Sequence, residues 1–243
     1  MRIARALALT GVAARRKCEQ LVQRGEVTVN GEVVCDLGRR VDPTRDLLVF
    51  RGKRLTFPKP VYYLLNKPLG YVTTASDPHL ARDKSVYRLL PPSLGSIGKG
   101  KARQRVFPVG RLDRDSMGLL LFTNDGALAY HLTHPHYGVA RGYRVRLDKP
   151  LREADQKRLL KGVELDDGWA RLDRIEMKGD GKEIELVIQE GRKRQIRRLF
   201  AALGYRVTYL LRVSFGPLSL GSLPVGHGRF LTKEEIEALQ RSF

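Results

Sequence analysis

The stretch GRLDRDSMGLLLFTNDG, residues 110–126, limits the fold more than any other part of the chain. Arg111, Asp113, Arg114 and Asp115 stand directly ahead of Leu119, Leu120, Leu121 and Phe122. An unbroken apolar run of that length reads as a strand covered on both faces. The charged residues are thus fixed to the end of a core strand rather than carried on a free surface tip. Gly118, between the two, lets another backbone come close. TND, residues 123–125, then caps a helix over ALAYHL. In extended chain Asp113 and Asp115 would share one side at roughly 6–7 Å. Carboxylate pairs at such spacing serve glycosidic-bond chemistry; paired with Arg111 and Arg114 they would instead form an ordinary ionic loop.

The segments around this stretch give an irregular series of helices and strands. IARALALTG and AARRKCEQLVQRG read as two helices ended by Gly11 and Gly25. EVTVNGEVV is a hairpin turning at Asn30-Gly31, and LLVF a short strand. Together these predict a compact module over residues 1–57, followed by a stiff linker at 58–60 and a larger domain over 61–243. The larger domain opens with the strand VYYLL and the turn NKPLG, then passes through loops and one short helix to Arg105. Strands are expected at LLLF, YRVRL, EIELVIQ and RVTYLLRV, with helices at ALAYHL, READQKRLLKG, IRRLFAALG and TKEEIEALQR. Several strands alternate in polarity, as half-buried antiparallel strands do, so the fold class is α+β with a mainly antiparallel sheet.

Charge points to a partner. Against 26 acidic residues stand 45 basic ones, 31 of them arginine, leaving a net +19. This predicts a polyanion, nucleic acid ahead of a membrane, with arginine suited to two-pronged phosphate contacts. Cys18 and Cys35 are too few for a disulfide framework or a thiolate metal site, as expected in a reducing cytoplasm. The basic-then-apolar start MRIARALALTG is too short for a signal peptide, and no run approaches the roughly 18 apolar residues of a membrane span.

Other motifs divide by physical plausibility. GSIGKGKA, residues 95–102, nearly fits a phosphate loop but has Ala102 where a magnesium-holding hydroxyl is required. His131, His134 and His136 lack the second ligand pair of a zinc site. Neither metal nor cofactor is expected. Arg15, Arg16 and Lys17 open the second helix, where cations oppose the helix dipole unless an anion joins them. Arg192, Lys193, Arg194, Arg197 and Arg198 crowd the start of IRRLFAALG, which points to phosphate or carboxylate binding. Tyr143, at the start of a strand, reads as a core ring or as a platform for a base.

Taken together, GRLDRDSMGLLLFTNDG, LLNKPLGYVTT, RGYRV, EGRKRQIRRLFAALG and GPLSLG resemble, in order, the motifs of bacterial ribosomal RNA pseudouridine synthases of the RsuA-like family. Residues 1–57 resemble the small RNA-binding module of ribosomal protein S-four. The resemblance implies site-specific isomerisation of uridine to pseudouridine in ribosomal RNA, in the cytoplasm, without a cofactor. It makes Asp113 the catalytic carboxylate, Tyr143 the ring that stacks on uracil, and Arg197 the cation that pairs with Asp113. Asp115 becomes loop support. Arg15, Arg16, Lys17, Arg111, Arg192, Lys193, Arg194 and Arg198 become RNA contacts, and the LLLF strand the wall that excludes water. The EGRKRQIRRLF version of its motif favours the large ribosomal subunit, and a monomer is expected. Ser116, Ala140, Gly142 and Ala14 depart from the usual family residues. A non-catalytic RNA-binding or ribosome-assembly factor would share the charge but leave the carboxylates on a rigid strand without a purpose. A base-removing hydrolase would yield free uracil.

Overall fold

The computed structural model describes residues 1–74, 84–95 and 104–242. GSIGKGKA lies almost wholly outside them. Two compact units result: Met1–Val61 with Leu90–Phe107, and Tyr62–Leu89 with Pro108–Phe243.

The first unit contains α1 (Ile3–Leu9), α2 (Arg15–Gln23), β1 (Val27–Val29), β2 (Glu32–Val33), β3 (Leu48–Phe50) and β4 (Lys53–Arg54), with sheet order β2-β1-β3-β4. Asn30 and Gly31 both take positive φ, 54° and 89°, as the two-residue turn between β1 and β2 requires. Ile3, Leu7, Cys18, Val22, Val27 and Leu48 are packed into its core. The chain then forms β5 (Tyr62–Lys67) of the second unit before returning with the parallel pair β6 (Leu94–Gly95) and β7 (Gln104–Arg105). Nothing in the sequence signalled that Leu90–Phe107 packs with the amino-terminal unit. Its Arg105 donates to the carbonyls of Ala8 (3.0 Å) and Ala13 (2.8 Å), so the cation meets the negative end of α1 and the chain just ahead of α2.

In the rest of the chain follow β8 (Phe107–Pro108), β9 (Met117–Thr123), α3 (Gly126–Thr133), β10 (Arg141–Leu147) and α4 (Glu153–Lys161). Next come β11 (Val163–Leu165), β12 (Gly168–Ala170), β13 (Arg174–Lys178), β14 (Glu183–Ile188) and α5 (Gln195–Ala202). The chain ends with β15 (Val207–Phe215), β16 (Leu218–Ser219), β17 (Gly228–Phe230) and α6 (Lys233–Arg241). The main sheet runs β13-β14-β10-β15-β9-β5-β17, with β8 beside β9 and β16 beside β15. Its pairings are antiparallel at β13–β14, β14–β10, β10–β15, β9–β5 and β5–β17, and parallel at β9–β15. This is the expected α+β architecture. The β11–β12 hairpin, β13 and β17 were not read from the sequence, being short and low in apolar contrast.

The apolar run behaves as its composition demands. Leu119, Leu120, Leu121 and Phe122 are fully buried, between β5 and β15. Asp125 caps α3 by accepting from the amides of Ala127 and Leu128. Gly118 has φ +105° and sits against the backbone of Arg212, whose carbonyl oxygen occupies the place of a Cβ. A side chain there would meet both a forbidden φ and a rigid neighbouring strand. The Gly118→Ala variant should lose about 2–4 kcal/mol of stability or fail to fold, measured by urea or thermal unfolding.

Candidate active site

The charged loop ahead of β9 is a turn, closed by Ser116 N–H donating to the Asp113 carbonyl at 3.1 Å. It is not extended, so the two-residue spacing of Asp113 and Asp115 does not make them a working pair. Each residue of the loop is instead held by a different part of the fold. Thr73 Oγ1 donates to the Leu112 carbonyl (2.8 Å) and accepts from the Leu112 amide (3.3 Å). The Gly70 amide donates to the Arg114 carbonyl at 2.9 Å. Lys67 Nζ donates to the Ser116 carbonyl at 2.7 Å and to the Pro68 carbonyl at 3.1 Å. The segment NKPLGYVTT, read from sequence as a turn after a strand, is the cradle of the charged loop.

The opposite side of the loop is held by α5. Arg194 grips Asp115 with two parallel hydrogen bonds of 2.9 and 2.7 Å. Arg197 donates to the Asp115 main-chain carbonyl (2.6 Å) and the Val207 carbonyl (2.7 Å). Its Nε lies 3.2 Å from Asp115 Oδ2, close enough for charge attraction but not aligned as a hydrogen bond. The expected pairing of Arg197 with Asp113 is therefore replaced by a pairing with Asp115, because the turn presents Asp115 to α5. Partial burial pushes the Asp115 carboxyl up, but the Arg194 bonds and the charges of Arg197 and Arg194 outweigh it and leave it below the ordinary carboxylate range. Arg194 itself takes φ 52°, a left-handed conformation uncommon outside glycine, at the amino-terminal cap of α5.

Asp113, half-buried, makes no side-chain hydrogen bond or ion pair among the described residues. It lines a cavity of about 500 Å³ together with Arg111, Tyr143, Lys193, Arg194 and Arg197. That volume is in the range of small-molecule sites. The structure thus brings the three residues expected to be catalytic to one cavity. Tyr143 is 9% exposed and follows a register shift between β10 and β15. There, the place of a Gly142 side chain is taken by the hydroxyl of Ser214, which accepts from the Gly142 amide at 3.1 Å. Glycine at 142 is thereby explained. The apolar lining comes from Leu112, Ile188, Ile196, Leu210 and Phe215. It does not come from Leu119–Phe122, which are consumed inside the sheet.

Two further arginines were missed. Arg141 is buried and donates to the carbonyls of Gln189 (2.6 Å), Leu132 (3.0 Å) and Val139 (3.2 Å). Arg212 is buried and donates from Nε to Leu119 O at 2.7 Å. Their guanidinium carbons lie 5.1 and 5.0 Å from the centre of the Phe215 ring. Both line the cavity, and neither has an ion-pair partner among the described residues. The cavity is consequently electropositive apart from Asp113 and Glu190. Their charge signals exposure, although alternation puts Arg141 on the same face as the buried Tyr143, Val145 and Leu147, a signal that could have found it.

The predicted RNA-contacting cations differ in what holds them. Arg192 donates to the carbonyls of Asp167, Gly168 and Trp169 and approaches Glu190 at 3.1 Å. Arg198 grips Asp167 with two bonds of 2.8 Å and does not line the cavity. The repulsion within EGRKRQIRR is thus relieved by internal carboxylates, where the sequence suggested an external anion. Lys193 and Arg111 are exposed. In the first unit Arg15, Arg16 and Lys17 are exposed on α2, whose cap residue Ala14 offers no side-chain hydrogen bond. Of the histidines, His131 Nε2 lies 2.9 Å from the Ser242 carbonyl, and its ring packs on Tyr137 at 4.0 Å. No described residues form a cluster able to hold a metal ion, and no described helix is long and apolar enough to cross a membrane.

Comparison with known proteins gives the same reading across the whole chain. The family model for RNA pseudouridylate synthase matches residues 61–202, and the S4 domain model matches residues 1–47. An uncharacterised RNA pseudouridine synthase of Aquifex aeolicus is 37% identical, over 98% of this chain and 93% of that protein. The ribosomal large subunit pseudouridine synthase B of Bacillus subtilis is 36% identical, over 98% of this chain and 95% of that one. A crystal structure of a pseudouridylate synthase superposes with a TM-score of 0.67 at 28% identity, over 98% and 99% of the two chains.

Lys67 has a measurable signature. Burial pulls its ammonium down to about 8, against the opposing attraction of Asp113 and Asp115. Below that pH both folded and unfolded chains hold the proton, and the cost of burying the charge is fully present. Between about 8 and the ordinary 10.5, only the unfolded chain binds the proton, so stability rises with pH. Relative to Lys67→Met, the wild type should gain up to roughly 3 kcal/mol between neutral pH and pH above 10 in urea unfolding. Its turnover should fall as pH passes 8, an alkaline limb that Lys67→Met would lack.

Proposed function

As the chain belongs to the RNA pseudouridylate synthase family and isomerises uridine to pseudouridine in RNA, we propose that its substrate is ribosomal RNA and that Asp113 is the catalytic carboxylate. The single observation that carries the assignment of Asp113 is its contrast with Asp115. Both carboxylates belong to one anchored loop, but Asp115 is tied by Arg194 and Arg197, whereas Asp113 faces the cavity with no hydrogen-bond or ion-pair partner among the described residues.

In the proposed reaction, the target uridine leaves the RNA stack and enters the cavity, at a cost of a few kcal/mol that is least in a loop or bulge. Tyr143 stacks on the uracil and returns about 1–3 kcal/mol. Asp113 acts on the nucleoside as nucleophile or base while the N-glycosidic bond breaks. The uracil turns in place, and its carbon-5 bonds to the sugar carbon as the carbon-5 proton leaves. The apolar lining of Leu112, Ile188, Ile196, Leu210 and Phe215 limits water, which would otherwise trap the sugar and release free base. Arg197 acts as a positioning residue: it holds the loop by the Asp115 carbonyl. Arg141 and Arg212 supply positive potential beneath the base, and Lys193 and Arg111 meet the flanking phosphates.

The S4 domain over residues 1–47 supplies a second RNA contact, through Arg15, Arg16 and Lys17. The α2 amino terminus has no side-chain cap, three cations and no acidic residue in its first turn, a combination that phosphate would complete; Arg15 also lies 3.5 Å from Glu19, one turn on. The likeness to the B. subtilis protein supports the large ribosomal subunit as target. A monomer acting in the cytoplasm fits this role.

Two measurements test the proposal. Asp113→Ala should abolish tritium release from RNA labelled at uridine carbon-5, while filter binding of the same RNA persists; turnover at the wild-type rate would overturn the assignment. Changing Arg15 and Arg16 together to alanine should weaken RNA binding and flatten its salt dependence by about one to two phosphate contacts, with turnover at saturating RNA retained.

A further inference from the structure

Trp169, the only tryptophan in the chain, is 59% exposed on β12. An indole left in water is costly apolar surface, and at interaction sites tryptophan is a common anchor. Its nearest support is glycine: the position a Cβ of Gly162 would take is filled by the indole Nε1 and Cε2 atoms. The ring therefore lies directly on main chain at φ +125°, where no other residue fits, and its exposure falls on the remaining surface.

The hairpin that carries it is clamped rather than loose. Arg192 donates to three successive carbonyls, of Asp167 (3.3 Å), Gly168 (3.2 Å) and Trp169 (2.7 Å). Arg198 fixes the Asp167 carboxylate with two bonds of 2.8 Å. Arg192 at the same time lines the cavity that holds Asp113 and Tyr143. Two of the five cations in the basic cluster are thus used to fix one hairpin at the cavity rim. The charge of Asp167 is neutralised by those cations, while Glu164 stands opposite Trp169 in the β11–β12 register. What remains is a rigid aromatic surface, continuous with the cavity through a single side chain and bordered by guanidinium.

We propose that Trp169 is a stacking platform for a base of the substrate RNA that flanks the extruded uridine. The inference rests on the reading of the cavity as the uridine site. A flat π-face held in place loses little conformational freedom on binding and accepts any base, so it adds affinity while leaving sequence choice to other contacts. It also gives the strand beside the target a stacking partner in place of the uridine that has left.

Because Trp169 is the only tryptophan, the fluorescence of the intact protein reports on this position alone. Transcribed large- and small-subunit ribosomal RNAs carrying uridine tritiated at carbon-5 serve as probes, and tritium release, filter binding and tryptophan emission are measured on the same samples. Emission should be quenched in parallel with binding of the transcript that releases tritium. Trp169→Ala and Trp169→Leu should bind that transcript about 5- to 10-fold more weakly, and Trp169→Phe should recover most of the loss, which a purely apolar packing role would not require. Tritium release with unchanged emission, or Trp169→Ala binding at wild-type affinity, overturns the platform and leaves the isomerase reading intact. Failure of both transcripts to bind overturns both. Emission that shifts when the protein alone is concentrated assigns the ring to a second copy of the chain and overturns the inference.

Discussion

The site depends on cations that bind main-chain carbonyls. Lys67 is fully buried at the end of β5, and its ammonium meets the carbonyls of Ser116 and Pro68. A buried charge with only neutral acceptors is expensive, which is why burial lowers its proton affinity to about 8. Arg197 also meets carbonyls from the opposite side, those of Asp115 and Val207. Between the two, a loop of alternating charge is held as firmly as a strand, although it has no ladder of its own.

Such anchoring leaves one side chain available. If Arg197 were bonded to Asp113, the carboxylate proposed to meet the nucleoside would enter the reaction already tied to a cation, and each turnover would have to loosen it. With Asp115 as the tether, Arg194 and Arg197 fix the loop position without occupying Asp113. Arg194 adopts a strained backbone to do so, a cost of order 1–3 kcal/mol that its two-pronged bond to Asp115 offsets. Strain of this kind at a cavity edge is consistent with a geometry set by the site rather than by the helix.

Much of this was legible in the sequence, for identifiable reasons. An apolar run of four residues could only be a core strand, and Gly118 beside it could only be a close approach, so the sheet's centre followed from GLLLF. Asn30-Gly31 and the Asp125 cap were readable because each is a local backbone requirement. What could not be read was long-range pairing. Nothing local distinguishes Asp113 from Asp115 as the partner of a helix some eighty residues later. Lys67 in NKPLG and Arg212 in its strand carry charges that ordinarily signal exposure, and only the tertiary fold turns them inward. The β11–β12 hairpin escaped notice because its strands are three residues long, and the side chains that fix it, Arg192 and Arg198, come from later in the chain.

The same distinction divides the arginines. Counting 31 of them predicts a polyanionic partner but not which ones meet it. Arg105, Arg141, Arg194, Arg197, Arg198 and Arg212 each bond protein carbonyls or carboxylates, and so act first as structural cations. Guanidinium suits this use because its planar fork satisfies two or three acceptors at once and stays charged when buried. Four of them, Arg141, Arg194, Arg197 and Arg212, line the cavity, where little carboxylate opposes them, whereas Arg111 and Lys193 are exposed. A nucleoside entering the cavity would therefore meet exposed cations at Arg111 and Lys193 and a preset, rigid potential from the buried arginines. An enzyme that must hold a detached base in place through a rotation needs that second property more than it needs additional affinity.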